Sequence, residues 1–218
     1  MIRIAVMHVP RQSETVGESI ISIKNNSKGV ITLMPDGVHD TEYISVQLGI
    51  KSHSLGKQVG CFKHYARCLE YLVSISKGND IIAVLPDDLI YSPFDNLIEK
   101  ALTPNVGYCA IYTPRELGRR NKWKFGGWES VNGGWDSSYG GGYFFRAKVA
   151  KQIIEHPFFI DHLNNYEKNQ QIDHCIPEVC HQLGLKQLFH VPSLSKHIGL
   201  TSTIGHVHTE AEEPWGWK

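Results

Sequence analysis

Asn79-Asp80-Ile81-Ile82-Ala83-Val84-Leu85-Pro86-Asp87-Asp88 decides the fold. Its centre is an unbroken apolar run, bounded by polar residues before it and a proline after it. Such a run reads as one buried β-strand. Two adjacent carboxylates then stand where that strand leaves the core. In an open α/β sheet, ligands collect just beyond the carboxyl ends of the strands. Carboxylate oxygens are what a hard divalent cation needs, and such a cation commonly carries substrate phosphates. The pair therefore reads either as a metal site for a phosphorylated ligand or as a solvated turn capping the strand.

Strand and helix signals alternate on either side. Ile2 to Val9 reads as a strand. Ser13 is a candidate N-cap, and Val16, Ile20, Ile21 and Ile23 form a helical stripe behind it. Val30 to Met34 is a second strand, ended by the turn Pro35-Asp36-Gly37. Residues 38–59 give no clear pattern. Phe62, Ala66, Leu69, Leu72 and Val73 share one helical face, which Lys77-Gly78-Asn79 ends. Beyond the paired acids, Ser92-Pro93 opens a helix with Phe94, Leu97, Ile98 and Leu102 inward, and Val106 to Tyr112 is a strand. Tyr143-Phe144-Phe145 is another strand. Lys148 to His156 forms a short helix ended by Pro157. Asp173 begins a helix with Ile176, Val179 and Leu183 inward, and Lys186 to Val191 is the last strand. This alternation predicts an α/β fold: a mixed, mostly parallel sheet flanked by helices.

Residues 113–142 break the alternation. Seven of the 20 glycines fall between 126 and 142, interleaved with Trp128, Trp135 and Tyr139. Arg115, Arg119, Arg120, Lys122, Trp123, Lys124 and Phe125 precede them. A structureless loop of this length inside a compact domain is usually functional.

With 218 residues, the chain suits one domain and buries about 70% of its unfolded surface. Lys plus Arg and Asp plus Glu are 22 each, so global charge gives no support for a nucleic-acid or membrane partner, although a local patch remains compatible. Five cysteines, an odd number with no Cys-x-x-Cys, read as reduced thiols buried in a cytoplasmic protein. Cys68 keeps the apolar register of its helix. No run approaches the roughly 20 apolar residues of a membrane span, and the N-terminal segment is too short for a signal peptide. Eight of the twelve histidines lie after residue 150, and histidine is a common metal ligand and acid/base group.

Taken in order, these motifs resemble the GT-A superfamily of nucleotide-sugar glycosyltransferases. The order is a strand into Val9-Pro10-Arg11, a helix containing Ser22-Ile23, and a strand into Asp36-Gly37. A helix carrying Gly60, His64 and Arg67 follows, then a strand into Asp87-Asp88. Gly140-Gly141-Gly142, Asp173 and a late His197-Ile198-Gly199 complete it. The likeness covers roughly residues 2–205, which sets the expected domain, with 206–218 as a tail. Pro192-Ser193-Leu194 through His197 to Ser202 looks like the end of certain inverting transferases, including the N-acetylglucosaminyltransferase IV type. One departure is Pro86, which stands where the family's Asp-x-Asp would place its first acid.

The resemblance implies a UDP-sugar donor and a divalent cation, Mn2+ or Mg2+. It makes Asp88 a direct metal ligand and Asp87 a ligand or ribose contact. A late histidine completes the site: His197, with His206 and His208 as the other candidates. Asp173 falls at the position of the catalytic base, a role that competes with plain helix capping. Pro10, Arg11 and Asp36 lie at strand ends that hold the nucleoside. Arg67 is a candidate phosphate contact, and Gly141 and Gly142 allow close backbone approach to the sugar donor or merely connect. Arg120, Lys122, Trp123 and Trp128 are acceptor-site candidates. Cations beside aromatics suit nucleic acid. A hydroxymethylated base in DNA, as for small phage transferases, is therefore carried beside a saccharide acceptor, and a lid over the sugar donor is the third reading of the segment.

Overall fold

The structure is a computed structural model that describes residues 1–9, 15–37, 41–54, 56–131, 142–165 and 172–198. Strand β1 (Ile2–His8) is followed by α1 (Val16–Asn26), β2 (Val30–Pro35), α2 (Glu42–Leu48), β3 (Lys51–Ser52) and α3 (Cys61–Ser74). Next come β4 (Ile81–Pro86), β5 (Leu89–Tyr91), α4 (Asp95–Ala101), β6 (Val106–Ala110), α5 (Arg115–Arg120) and β7 (Gly127–Val131). The chain continues through β8 (Tyr143–Arg146), α6 (Ala147–Ile154), α7 (Pro157–Asn164), α8 (Ile172–Gln182), β9 (Lys186–Val191) and β10 (Ser195–His197). Eight strands form one sheet in the order β3-β2-β1-β4-β8-β6-β9-β7, and β5 pairs with β10 in a separate ribbon. Pairing is parallel for β3/β2, β2/β1, β1/β4 and β6/β9, while β8 and β7 run antiparallel to their neighbours. The sheet is mixed and mostly parallel, as the alternation predicted.

Strand β4 sits between the two halves of the core. Ile82 and Val84 join the layer built from Phe62, Leu69 and Leu72 of α3, Ile153 of α6 and Val179 of α8. Ile81, Ala83 and Leu85 join the opposite layer with Ile20 and Ile23 of α1 and Ile98 of α4. All five side chains are at most 2% exposed. A strand buried on both faces cannot alternate polar and apolar, which is why its sequence is a continuous apolar run. Each large side chain there contributes about 1.5–3 kcal/mol by burial.

Several sequence expectations need correction. Ile21 is 48% exposed, because a helix on one sheet face buries only the Val16–Ile20–Ile23 stripe. Leu183 lies past the end of α8 and is 37% exposed. Pro157 does not merely end α6: it opens α7 at a first-turn position, where its missing N–H costs nothing, and His156 Nδ1 accepts from Phe158 N. The unpatterned stretch 38–59 contains α2 and β3, elements too short for periodicity to register. Residues 113–131 are not structureless either, since they form α5 and the edge strand β7. Ser13 lies outside the described residues. Of the five thiols, Cys61 is half-buried and the others are buried, burial pushing the Cys175 thiol up to about 12.

Gly142 leads into β8 with φ +91°, and a Cβ there would lie 2.6 Å from Leu85 Cδ2. Gly142→Ala should cost about 2–4 kcal/mol, combining left-handed backbone strain with overpacking. Urea denaturation would register this as a lower midpoint with an unchanged slope. A midpoint equal to the wild type's would mean that Leu85 moves aside freely.

Candidate active site

The carboxyl ends of β1, β2, β4, β6 and β9 share one edge of the sheet, and the antiparallel β8 begins there. The acids Asp36, Asp87, Asp88 and Asp173 all lie along this edge, but their surroundings differ.

Asp87 follows the last residue of β4 and is 1% exposed. Its Oδ2 accepts from His8 Nδ1 at 2.6 Å and from Val9 N at 3.3 Å, tying β4 to the end of β1. A buried carboxylate held by such a short, charge-assisted bond is a structural tie between adjacent strand ends. Asp36 makes a similar tie at the end of β2. It is 2% exposed, and its two oxygens accept from Val59 N at 2.9 Å and Gly60 N at 3.0 Å, fixing the start of α3 to β2. Between them lies His64, fully buried in the first turn of α3, with neither ring nitrogen in a hydrogen bond of normal geometry. Burial pushes its pKa down, against the pull of Asp36 and Asp87.

Asp88 is turned the other way. Its Oδ2 lies 3.8 Å from His197 Nδ1, and the Asp88 carbonyl accepts from Ile198 N at 2.9 Å. Strand β10 places this histidine by pairing with β5, His197 opposite Leu89, and the Tyr112 ring meets the imidazole edge-on at 5.1 Å. Ser193 anchors the approach, its hydroxyl accepting from Thr113 N at 3.1 Å and donating to the Ser195 carbonyl at 2.8 Å. Leu194 N donates to the Ile111 carbonyl at 2.7 Å. A carboxylate oxygen and an imidazole nitrogen facing one another beyond hydrogen-bond range are a donor set suited to Mn2+ and compatible with Mg2+. Among the described residues no group of three or more His, Cys, Asp or Glu is placed to hold a metal, so a cation here would draw further ligands from a phosphorylated ligand or water.

Asp173 is the second residue of α8, in the first turn, where an acid also suits the helix N-terminus. Its Oδ1 accepts from Tyr143 O–H at 3.5 Å, which brings it to the mouth of β8. Arg67 Nη1 donates to the Lys57 carbonyl at 3.2 Å and braces the loop before α3. Arg119, Arg120, Lys122 and Lys124 are exposed, Lys122 with φ 53°. Trp123 packs on Phe189 at 5.6 Å and Trp128 meets His190 edge-on at 5.0 Å, so both indoles are docked on β9. Pro10, Arg11, Gly140, Gly141, Trp135, Tyr139, His206 and His208 lie outside the described residues. Sequence reasoning missed His8 and Tyr143. The available signals were the end of the first strand for one and the residue after the glycine run for the other.

No family model matches the sequence, and no curated protein matches it. Solved structures do. The chain is similar to a crystal structure of GalNAc-T7 with UDP, GalNAc and Mn2+, with a TM-score of 0.58 at 13% identity over 96% of this chain. It spans 46% of that chain's length. It is also similar to a crystal structure of a mycobacterial protein, with a TM-score of 0.52 at 15% identity over 93% of this chain and 68% of that one. The fold is GT-A. Among the described residues no helix is long and apolar enough to cross a membrane.

The contrast between the adjacent acids is testable by stability alone. Asp87→Ala should lose about 1.5–3 kcal/mol with the charge-assisted bond to His8, whereas Asp88→Asn should cost under about 1 kcal/mol. Equal losses would remove the distinction. A pH dependence follows from His64, His162, His174 and His190, whose pKa values burial lowers below the ordinary 6.5. Below about pH 6.5 the unfolded chain takes up protons that the folded one resists, so stability should fall on acidification. Urea midpoints at pH 7.5 and 5.5 give the sign, and a higher midpoint at 5.5 would contradict it.

Proposed function

We propose that this chain is a metal-dependent glycosyltransferase that moves a sugar from a UDP-sugar to an acceptor hydroxyl with inversion. The observation that carries this reading is the facing pair Asp88 and His197 on the carboxyl edge of a GT-A sheet, with Asp173 on the same edge. Asp88 and His197 would hold the cation, and a bound divalent cation neutralises the charge that develops on the leaving diphosphate. Asp173 takes the proton of the acceptor hydroxyl. The oxygen of that hydroxyl forms a bond to the anomeric carbon as the bond from that carbon to the phosphate oxygen breaks, and UDP departs with the electron pair. One carboxylate acting on the acceptor is the pattern of inverting chemistry. Asp36 and Asp87 support the site from beneath by fixing α3, β2 and the end of β1. The nucleoside would lie across those strand ends, beside Pro10 and Arg11, with Arg67, Gly141 and Gly142 toward the phosphates and sugar.

For the acceptor, two readings rest on different residues. The exposed cations Arg119, Arg120, Lys122 and Lys124 support a phosphate-bearing acceptor, such as a hydroxymethyl pyrimidine in DNA. The likeness of residues 192–202 to transferases of the N-acetylglucosaminyltransferase IV type supports a saccharide. Trp123 and Trp128 contact β9 and stay half-buried, so stacking and charge both support the nucleic-acid reading.

A panel of UDP-sugars with Mn2+, tested against hydroxymethylated DNA, plain DNA and simple saccharides, should show turnover. Asp88→Asn and His197→Ala should each abolish it, as should EDTA. Asp173→Asn should lose about 10²–10⁴-fold in transfer while still binding UDP and Mn2+. Full turnover in excess EDTA would overturn the metal role, and a product with retained anomeric configuration would overturn the single-base mechanism. A DNA acceptor should be lost steeply with salt, because neutralised phosphates release counterions. Salt-independent transfer to a free sugar would leave the saccharide reading standing.

A further inference from the structure

Tyr143 is 1% exposed at the mouth of β8, its ring centroid 4.5 Å from that of Tyr108. Its backbone is fixed on both sides, opposite Val84 of β4 and Ala110 of β6. From this position its hydroxyl reaches across to α8 and donates to Asp173 Oδ1 at 3.5 Å. The first turns of α8 are themselves tied down. Gln187, fully buried on β9, donates through Nε2 to the Pro177 carbonyl at 2.8 Å and accepts at Oε1 from Tyr108 O–H at 2.9 Å. A second phenol, Tyr65 of α3, is 4% exposed, and its hydroxyl makes no hydrogen bond among the described residues. Burial first, and then the Asp173 charge, push the Tyr65 hydroxyl well above its ordinary pKa, so it keeps its proton.

We propose that Tyr143 is the positioning residue for Asp173: its hydroxyl holds Oδ1 and so fixes how the carboxylate meets the acceptor. This rests on the reading of Asp173 as the base. The terminal torsion of an aspartate is broad and soft, so a carboxylate without a fixed donor samples many orientations. One hydroxyl locked by two strands narrows that range. The bond between Tyr108 and Gln187 serves a different end, since it holds α8 against the sheet without touching the carboxylate. The other titratable groups in this region are Tyr65 from α3, the thiols of Cys68, Cys175 and Cys180, His174 beside Asp173, and His162 of α7, whose ring centroid is 5.4 Å from that of His174.

The test is Tyr143→Phe, which keeps the ring and deletes the hydroxyl, with Tyr108→Phe as the comparison. Carboxyl-carbon NMR titration, with the Asp173 resonance assigned through Asp173→Asn, reads the contact without any substrate. In Tyr143→Phe the Asp173 titration curve should change; in Tyr108→Phe it should not. With a UDP-sugar that turns over, Tyr143→Phe should lower kcat about 10- to 100-fold, leave the KM for the UDP-sugar within twofold, and change the acidic limb of the pH–rate profile. An unchanged Asp173 titration in folded Tyr143→Phe overturns the inference, as does a wild-type pH–rate profile when Asp173→Asn is inactive. Wild-type turnover by Asp173→Asn would instead overturn the base reading, and with it the positioning role. If Tyr143→Phe fails to fold, Tyr143→Met, which also deletes the hydroxyl and adapts to a buried gap, takes its place in the same titration.

Discussion

The short bond between His8 Nδ1 and Asp87 Oδ2 is the constraint on which the rest of the edge depends. Strand β4 is covered on both faces, so it delivers whatever follows it into a region with little water. A carboxylate there must be matched by donors or it destabilises the fold. Asp87 is matched by the neighbouring strand, through the side chain of His8 and the backbone of Val9. Pro86 precedes it, and its carbonyl accepts from Tyr91 O–H at 3.3 Å, which draws β5 back under the turn. The turn is therefore held at both shoulders, and Asp88, next in the chain, is directed out of it toward β10.

The same logic places the remaining elements of the site. Helix α3 begins at the carboxyl edge because Asp36 grips the amides of Val59 and Gly60 just before it. Gly60 enters the helix with φ +85°, a conformation that a side chain would strain. On the far side, Ser193 and Leu194 bind the residues after β6, and Ser92 N donates to the Leu194 carbonyl at 2.8 Å. The ribbon of β5 and β10 is thus pinned to the main sheet at the point where His197 approaches Asp88. Two separate chain segments, more than a hundred residues apart, are brought to 3.8 Å by backbone pairing rather than by their own attraction.

How far the sequence was legible follows from how local each signal was. The burial of Ile81–Leu85 was readable because a fully covered strand leaves an uninterrupted apolar run. Strand β7 was not, since Gly-Trp-Glu-Ser-Val at a sheet edge is only half-buried and has little apolar pattern. Helix α2, seven residues long, gives periodicity too few turns to appear. The paired acids stand at the end of β4, where the sequence put them, whereas their different contacts were not legible. Asp87 and Asp88 are chemically identical in sequence, and only the approach of His8 from β1 separates them. Tyr143 was hidden for the opposite reason: as a member of Tyr143-Phe144-Phe145 it reads as one more core aromatic, and its hydroxyl matters only because α8 ends up beside it.

The four acids of the carboxyl edge accordingly sort by what they touch. Asp36 and Asp87 are 2% and 1% exposed and accept from the chain's own N–H groups, which ties each to a neighbouring segment. Asp88 is held through its backbone while its carboxylate looks across 3.8 Å to an imidazole. Asp173 accepts from a phenol at the longer distance of 3.5 Å. Matched carboxylates make rigid supports, because moving them means breaking charge-assisted bonds inside the protein. On the proposed reading, the carboxylates on β2 and β4 brace the edge, while Asp88 and Asp173, just beyond them, meet the cation and the acceptor.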